Sequence, residues 1–261
     1  MKIRKNHRLI GGRKLYNLLQ PFLIEHQIKM GGDRLFDVLS ANYLLVKRRK
    51  KQTITTNSYH RFKKYPNLIR KFIPTEPNQL WVSNIIYWKI ATGFVYISFI
   101  TDAYSRKIVG SHVAQTLEAV ETMEALKIRI SGLRMGPDCH FQLTHHSDRG
   151  MQYCSDKYVK FLESNNIGIS MTENGDPLEN AIAERVNGII KEEYLNDYQV
   201  DNLEEPKELL EAVIKLYSNE RPHMSIGNLT PNQVHQNNIK TEKLWKSYYV
   251  KSPIIVNQQQ D

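Results

Sequence analysis

Three β-rich runs set off by turn residues place the first limit on what this chain can fold into. Trp81–Trp88, Phe94–Thr101 and Lys107–Val113 are separated by Ala91-Thr92-Gly93 and by Asp102–Arg106. Runs this close together, bounded by such turns, predict antiparallel strands. The pattern then alternates: a helix over 116–130, a strand over 141–145, a helix over 155–165, a strand over 168–171 and a longer helix over 178–194. Antiparallel strands followed by alternating helix and strand predict an α/β fold with a mixed sheet covered by helices. A membrane span is not expected, because apolar runs such as Ile97–Ile100 end long before the ~20 residues a span requires. Two cysteines, Cys139 and Cys154, cannot frame a disulfide scaffold or, alone, a structural zinc site.

The charge is divided unevenly. The chain carries a formal +9, yet residues 1–72 hold 18 Lys/Arg against three acids, so the remainder is mildly acidic. A basic head on an acidic body is the footprint of a polyanion-binding module joined to something else. Leu15, Leu18, Leu19, Phe22 and Leu23 recur at helical spacing, with Pro21 expected to kink or divide the helix. Gly31-Gly32-Asp33 predicts a turn and an N-cap, followed by Leu35, Phe36 and Leu39 on one face. Two short helices across a glycine turn, beside the cluster Lys47-Arg48-Arg49-Lys50-Lys51, resemble a helix-turn-helix. In that reading Arg34 and residues 47–51 contact phosphate, which positions DNA without reading its sequence. The expected organisation is a DNA-binding module over 1–55, a Pro- and Lys-rich linker over 56–79, a mixed-sheet core with C-terminal helices over 80–235, and a tail over 236–261.

Acidic residues at a strand end and on a late helix are the candidates for chemistry. Asp148 lies in His145-His146-Ser147-Asp148-Arg149-Gly150, and Glu184 in Asn180-Ala181-Ile182-Ala183-Glu184-Arg185, where the small alanines would let the helix approach the sheet. Two carboxylates brought together repel and call for a cation, and oxygen-only ligation suits Mg²⁺, with Mn²⁺ as substitute. Against this stand plainer readings, in which an Asp after a strand forms a turn and a helical Glu faces solvent.

Several blocks together carry a family resemblance. Pro77-Asn78-Gln79-Leu80-Trp81-Val82-Ser83, His145–Gly150 with Gln152-Tyr153, Glu179–Arg185, and Tyr217-Ser218-Asn219-Glu220-Arg221-Pro222-His223 with Leu229-Thr230-Pro231 occur in this order. They resemble the integrase core of bacterial insertion-sequence transposases, most closely the OrfB product of the two-frame group. The resemblance implies a ribonuclease-H-like, five-stranded fold with an Asp-Asp-Glu triad and metal-dependent DNA cleavage and strand transfer. It further implies double-stranded DNA as partner (element ends and target), a homo-multimer on that DNA, an upstream OrfA-type partner or fusion, and a cytoplasmic, nucleoid-associated setting. Asp148 and Glu184, with 35 residues between them, match the second and third acids. The first falls in a Trp-x-x-Asp motif, which here reads Trp81-Val82-Ser83-Asn84, and Ile86 stands where the family usually has Thr.

Asn84 keeps one carbonyl acceptor but loses the formal charge and one metal-binding oxygen. Weakened metal binding and activity are expected, with folding and DNA binding little changed. The change reads equally as engineered or as natural decay, and a third reading lets Asp102 substitute, although Asp102–Arg106 matches a hairpin pattern of the family. Arg149, Arg185 and Lys191 are candidate phosphate contacts, each with a structural or solvated alternative. Of His145 and His146, on opposite faces of a strand, one is expected near the site and the other solvent-facing or structural. Cys154 has no evident base and is not expected to be a nucleophile. The competing function is a DNA-binding protein with a defunct core, an inhibitor or remnant; an RNA-binding role is a distant third.

Overall fold

The computed structural model describes residues 2–46, 60–132, 143–173, 177–198, 200, 205–242 and 244. Lys47–Lys51, Cys139, residues 141–142 of the expected fourth strand and the end of the expected tail lie outside the described residues.

The three β-rich runs form β1 (Leu80–Ile90), β2 (Gly93–Asp102) and β3 (Ile108–Ala114). They pair antiparallel, with Trp81 opposite Asp102 and Ile90 opposite Gly93, whose φ of 138° a side chain would strain. Helix α4 (Ala119–Ser131) returns the chain to β4 (Thr144–Ser147), which runs parallel beside β1. Short α5 (Met151–Cys154) and α6 (Asp156–Ser164), N-capped by the Ser155 hydroxyl, lead to β5 (Gly168–Met171). The sheet order is β3-β2-β1-β4-β5, a mixed five-stranded sheet as expected. Gly110 lets α4 rest directly on β3, since a Cβ there would run into the Ala125 carbonyl oxygen.

The expected long helix over 178–194 is composite. A 3₁₀ turn (Pro177–Asn180) precedes α7 (Ala181–Ile189), and a π-turn (Ile190–Tyr194) and a second 3₁₀ turn (Leu195–Asp197) follow. Helices α8 (Glu205–Glu220) and α9 (Pro231–Asn237) complete the body, α9 entered through a capping box on Thr230 and reaching into the expected tail. The two faces of the sheet are buried separately. Ile86, Trp88, Ile90, Val95, Ile97 and Phe99 pack against α7, the π-turn and α8. Trp81 and Ile100 pack on the other face with Ala125, Leu126, Tyr158 and Leu162 of α4 and α6.

The head holds α1 (Lys2–Asn6), α2 (Gly12–Glu25) and α3 (Gly32–Ala41) around Ile10, Leu15, Leu35 and Leu39. Pro21 does not divide α2. It sits on the exposed side, so the helix loses one backbone hydrogen bond there without losing its packing. Within Gly31-Gly32-Asp33, Gly31 is the N-cap of α3 and Asp33 lies in the first turn, where its charge suits the helix dipole. The head is seated on the core through His7, whose Nδ1 lies 2.9 Å from the Tyr194 hydroxyl. Residues 60–79 contain neither helix nor strand, yet they lie against the core. The Leu68 amide donates to the Ser170 hydroxyl at 2.9 Å, and the Arg70 guanidinium pairs with Glu173 at 2.6 Å and Glu179 at 3.3 Å.

Candidate active site

Strand register brings two of the three candidate residues side by side. β1 and β4 pair Leu80 with Thr144, Trp81 with His145 and Val82 with His146. Continuing that register by two residues sets Asn84 level with Asp148. Side chains alternate along a strand, and Leu80 and Val82 pack on Ala183 of α7, so Asn84 shares the face that α7 covers. Asp148 directly follows β4, in the turn that leads to α5, within electrostatic reach of Tyr153 and Cys154. The Asn180 amide donates to the Ser83 carbonyl at 3.0 Å, pinning the start of α7 beside Asn84. Glu184 follows in the first turn of α7 and is exposed, while Asn84 and Asp148 are half-buried. Glu184 therefore stands at the protein surface.

The donors are oxygen only, which suits a hard divalent cation. One Asp148 oxygen also accepts the Gly150 amide at 3.0 Å, an Asx turn that fixes the carboxylate. The Asn84 side-chain oxygen, its one metal-capable atom, accepts the Ile85 amide at 2.8 Å. Among the described residues no group of three His, Cys, Asp or Glu is placed to hold a metal ion. Asp148 and Glu184 carry carboxylate oxygens of the kind a hard divalent cation takes, and position 84 has an amide in place of a third carboxylate.

Asp102 is poorly placed to supply that charge. It lies opposite Trp81, three residues along β1 from Asn84, or ~10 Å at strand spacing. Its oxygens accept the Ser105 amide at 2.8 Å, the Ser105 hydroxyl at 2.7 Å and the Asn78 amide at 2.7 Å. Burial alone would raise its pKa, but hydrogen bonds from His235, Ser105 and Asn78 outweigh burial and hold it below the usual value. A lowered folded pKa stabilises the protein above the unfolded value, so this contribution is full above pH ~4 and is lost as pH falls through the folded pKa. Asp102→Asn is expected to cost about 1.5–3 kcal/mol at neutral pH and much less under acid conditions, read from urea melts at the two pH values.

Both histidines before Asp148 are buried. His145 Nε2 lies 2.7 Å from the Ser83 hydroxyl and 3.1 Å from the Tyr158 hydroxyl, and His146 Nδ1 lies 2.9 Å from the Ser170 hydroxyl. Burial pushes His145 down to about 3 and His146 to about 4, so both are neutral supports at physiological pH. Of the two alternatives for the second histidine, solvent-facing or structural, the structural one holds, because β4 lies between two strands and is covered on both faces. The Cys154 thiol is buried against the Met171 sulfur at 3.5 Å and pushed up to about 11 by burial, which suits no nucleophile.

The basic candidates divide. Arg34 and Arg185 are exposed. Arg149 is half-buried and donates to the Glu173 carbonyl at 2.9 Å, tying the loop after β4 to the loop after β5. Lys191 begins the π-turn's second residue and is half-buried.

Comparison with known proteins agrees with the fold. The integrase core domain family matches residues 74–177, and a second integrase core domain description matches residues 165–231. A 31 kDa protein of insertion element IS600 from Shigella sonnei is 34% identical over 215 residues, covering 82% of this chain and 78% of that protein. The chain belongs to the integrase-core transposases of bacterial insertion sequences. The transposase for IS629 from Shigella sonnei is 28% identical over 87% of this chain and 74% of that protein. The chain of a simian T-cell lymphotropic virus intasome, in complex with a PP2A regulatory subunit, shares the fold with a TM-score of 0.53 at 16% identity, over 91% of this chain and 79% of that one.

Two groups of this transposase escape a sequence reading. Arg221, 0% exposed, donates to both oxygens of Glu193, at 2.8 and 2.6 Å. Burial disfavours its charge, but the Glu193 carboxylate outweighs burial and holds its pKa above the ordinary value. The Tyr217 hydroxyl donates to the Arg106 carbonyl at 2.8 Å, and its ring meets His223 edge-on at 5.1 Å. The Tyr217–His223 segment is thus a clamp joining α8 to the π-turn and to the β2–β3 turn. Its chemical types were visible in sequence, but Glu193 carried no signal that it was the partner.

Proposed function

We propose that this transposase cleaves and joins double-stranded DNA at a site formed by Asn84, Asp148 and Glu184, and that Asn84 leaves it weakened. The reading rests on one juxtaposition: Asn84 and Asp148 level on adjacent strands, beneath the helix whose first turn carries Glu184. Asp148 and Glu184 would hold Mg²⁺ or Mn²⁺, with the Asn84 carbonyl oxygen as a poor third donor. A bound cation would stabilise charge on the attacking and leaving oxygens of the phosphodiester. The chain's own part is to hold two carboxylates rigidly on a sheet edge open to DNA. The head over 1–55 would bind DNA, with Arg34 and Lys47–Lys51 on phosphates, and residues 56–79 would connect it to the core over 80–235. Arg149, Arg185 and Lys191 would grip the backbone near the carboxylates. A multimer on paired DNA ends is the natural assembly, in keeping with the intasome whose fold it shares.

The second reading, a DNA-binding protein without activity, is favoured by the Asn84 oxygen being engaged by the Ile85 amide. A plasmid-nicking assay in Mn²⁺ and Mg²⁺ separates the two. Asn84→Asp should nick, and Glu184→Gln in that background should abolish it. Equal activity of all three chains would overturn the assigned site; inactivity of all three would favour the second reading.

A further inference from the structure

The two acids of the site stand on separate connections, and one polar network joins both. Asp148 lies in the turn after β4, next to Arg149, and Glu184 follows Glu179 and the 3₁₀ turn that leads into α7. Glu173, just after β5, is the hub between them. Its carbonyl accepts a hydrogen bond from Arg149 Nη1 at 2.9 Å, and its amide donates to Glu179 Oε2 at 2.6 Å. Its carboxylate accepts the Asn67 amide at 2.8 Å and Arg70 Nη2 at 2.6 Å. The same Arg70 nitrogen reaches Glu179 Oε1 at 3.3 Å, so one guanidinium neutralises two glutamates that would otherwise repel. Neighbours of Asn67 and Arg70 are fastened to the same two connections. The Pro66 carbonyl accepts the Met171 amide at 3.3 Å, and His60 Nε2 donates to the Arg149 carbonyl at 2.8 Å. Ile69 packs against the cluster of Leu80, Val82, Ala103 and Ala183, the last of which directly precedes Glu184.

We propose that residues 60–70 act as a brace that sets the spacing of Asp148 and Glu184, with Arg70 and Glu173 as its positioning residues. The inference rests on the reading that these two acids hold one cation. Mg²⁺ tolerates little error in the placement of its oxygens, and partners that orient metal ligands typically govern metal affinity by ~10–100-fold. The brace acts on the connections that bear the acids, through Arg149 on one side and Glu179 and Ala183 on the other. A stretch with the composition of a linker thus becomes part of the site's scaffold, although it contributes no ligand.

The test is calorimetric titration of Mn²⁺ into the full chain carrying Asn84→Asp, where the site has its third carboxylate. Added to that background, Arg70→Gln and Glu173→Gln should each weaken Mn²⁺ binding by ~10-fold. The two together should cost no more than ~10-fold, because both cut one link. The sign for Arg70→Gln separates positioning from electrostatics. Removing a positive charge would by itself tighten Mn²⁺ binding, whereas a lost brace weakens it. Arg70→Lys, which keeps the charge and a donor for both glutamates, should recover part of the loss. Arg70 is 51% exposed, so melting midpoints in chelator should stay within ~3 °C of the background. In the same metal-free state the Glu173 amide should exchange ~10-fold faster in Arg70→Gln, as its acceptor Glu179 loosens. Unchanged or tighter Mn²⁺ binding in Arg70→Gln, an additive loss of ~100-fold in the double variant, or a larger fall in melting midpoint would overturn the brace. If Asn84→Asp gains Mn²⁺ affinity and the Arg70 variants keep it, only the brace falls. If Asn84→Asp gains none, the cation site falls and the brace with it. Should Glu173→Gln fail to fold, the exposed Arg70 carries the test.

Discussion

Asn84→Asp is expected to raise metal-dependent strand cleavage by ~10²-fold or more over the chain as it stands. The present site offers Asp148 and Glu184, a formal charge of two, to cations that carry two each. An aspartate at 84, level with Asp148 and facing α7, would add a third charge and a second oxygen where the amide now offers a nitrogen donor. Metal-assisted charge stabilisation is worth several kcal/mol, and each 1.4 kcal/mol is tenfold in rate, so restoring even half of it exceeds ~10². The same substitution should make the metal-free protein slightly less stable, because carboxylates opposite one another on neighbouring strands repel. Gain of cleavage with loss of stability in chelator is the signature expected; gain of both would point to repacking around Ile85 instead.

Glu193→Gln is expected to be the most destabilising of the single changes, by about 3–5 kcal/mol, because it leaves the Arg221 guanidinium buried without its counter-charge. Arg221→Met should cost less, since Glu193 is 17% exposed and keeps some water. Replacing both by apolar residues should recover much of the loss, as buried ion pairs are often matched by well-packed hydrophobic ones. Denaturant melts of the two single variants and the double variant provide the cycle. A cost under ~1 kcal/mol for Glu193→Gln would show the pair behaving like a solvent-exposed bridge and would contradict its role as a clamp.

The sheet was legible because its cues are local. Ala91-Thr92-Gly93 marks the β1–β2 turn, and β5 occupies the expected 168–171. The acids at 148 and 184 could be singled out on position alone, but only the β1–β4 pairing shows that the strand carrying Asn84 runs beside the one that leads to Asp148. Elsewhere local reasoning fell short for identifiable causes. Period-two alternation puts His145 and His146 on opposite faces, as the structure does, but does not reveal that both faces of this inner parallel strand are covered. The π-turn over 190–194 leaves no mark in the apolar spacing, yet it carries Glu193 to Arg221. Pro21 reads as a break because its spacing does not reveal that it faces solvent. The seating of His7 on Tyr194 joins residues 187 positions apart, which no periodicity reports. Residues 60–79 have a linker's composition, while the contacts of Leu68 and Arg70 bind them to the core.

The central claim is that Asn84, Asp148 and Glu184 form one cation site short of a carboxylate. Calorimetric titration of Mn²⁺ into the chain, into Asn84→Asp, and into Asn84→Asp with Glu184→Gln tests it without depending on DNA or turnover. The account predicts weak binding by the chain as it stands, binding at least ~10-fold tighter in Asn84→Asp, and loss of that gain in the double variant. Equal Mn²⁺ affinity in all three would contradict it.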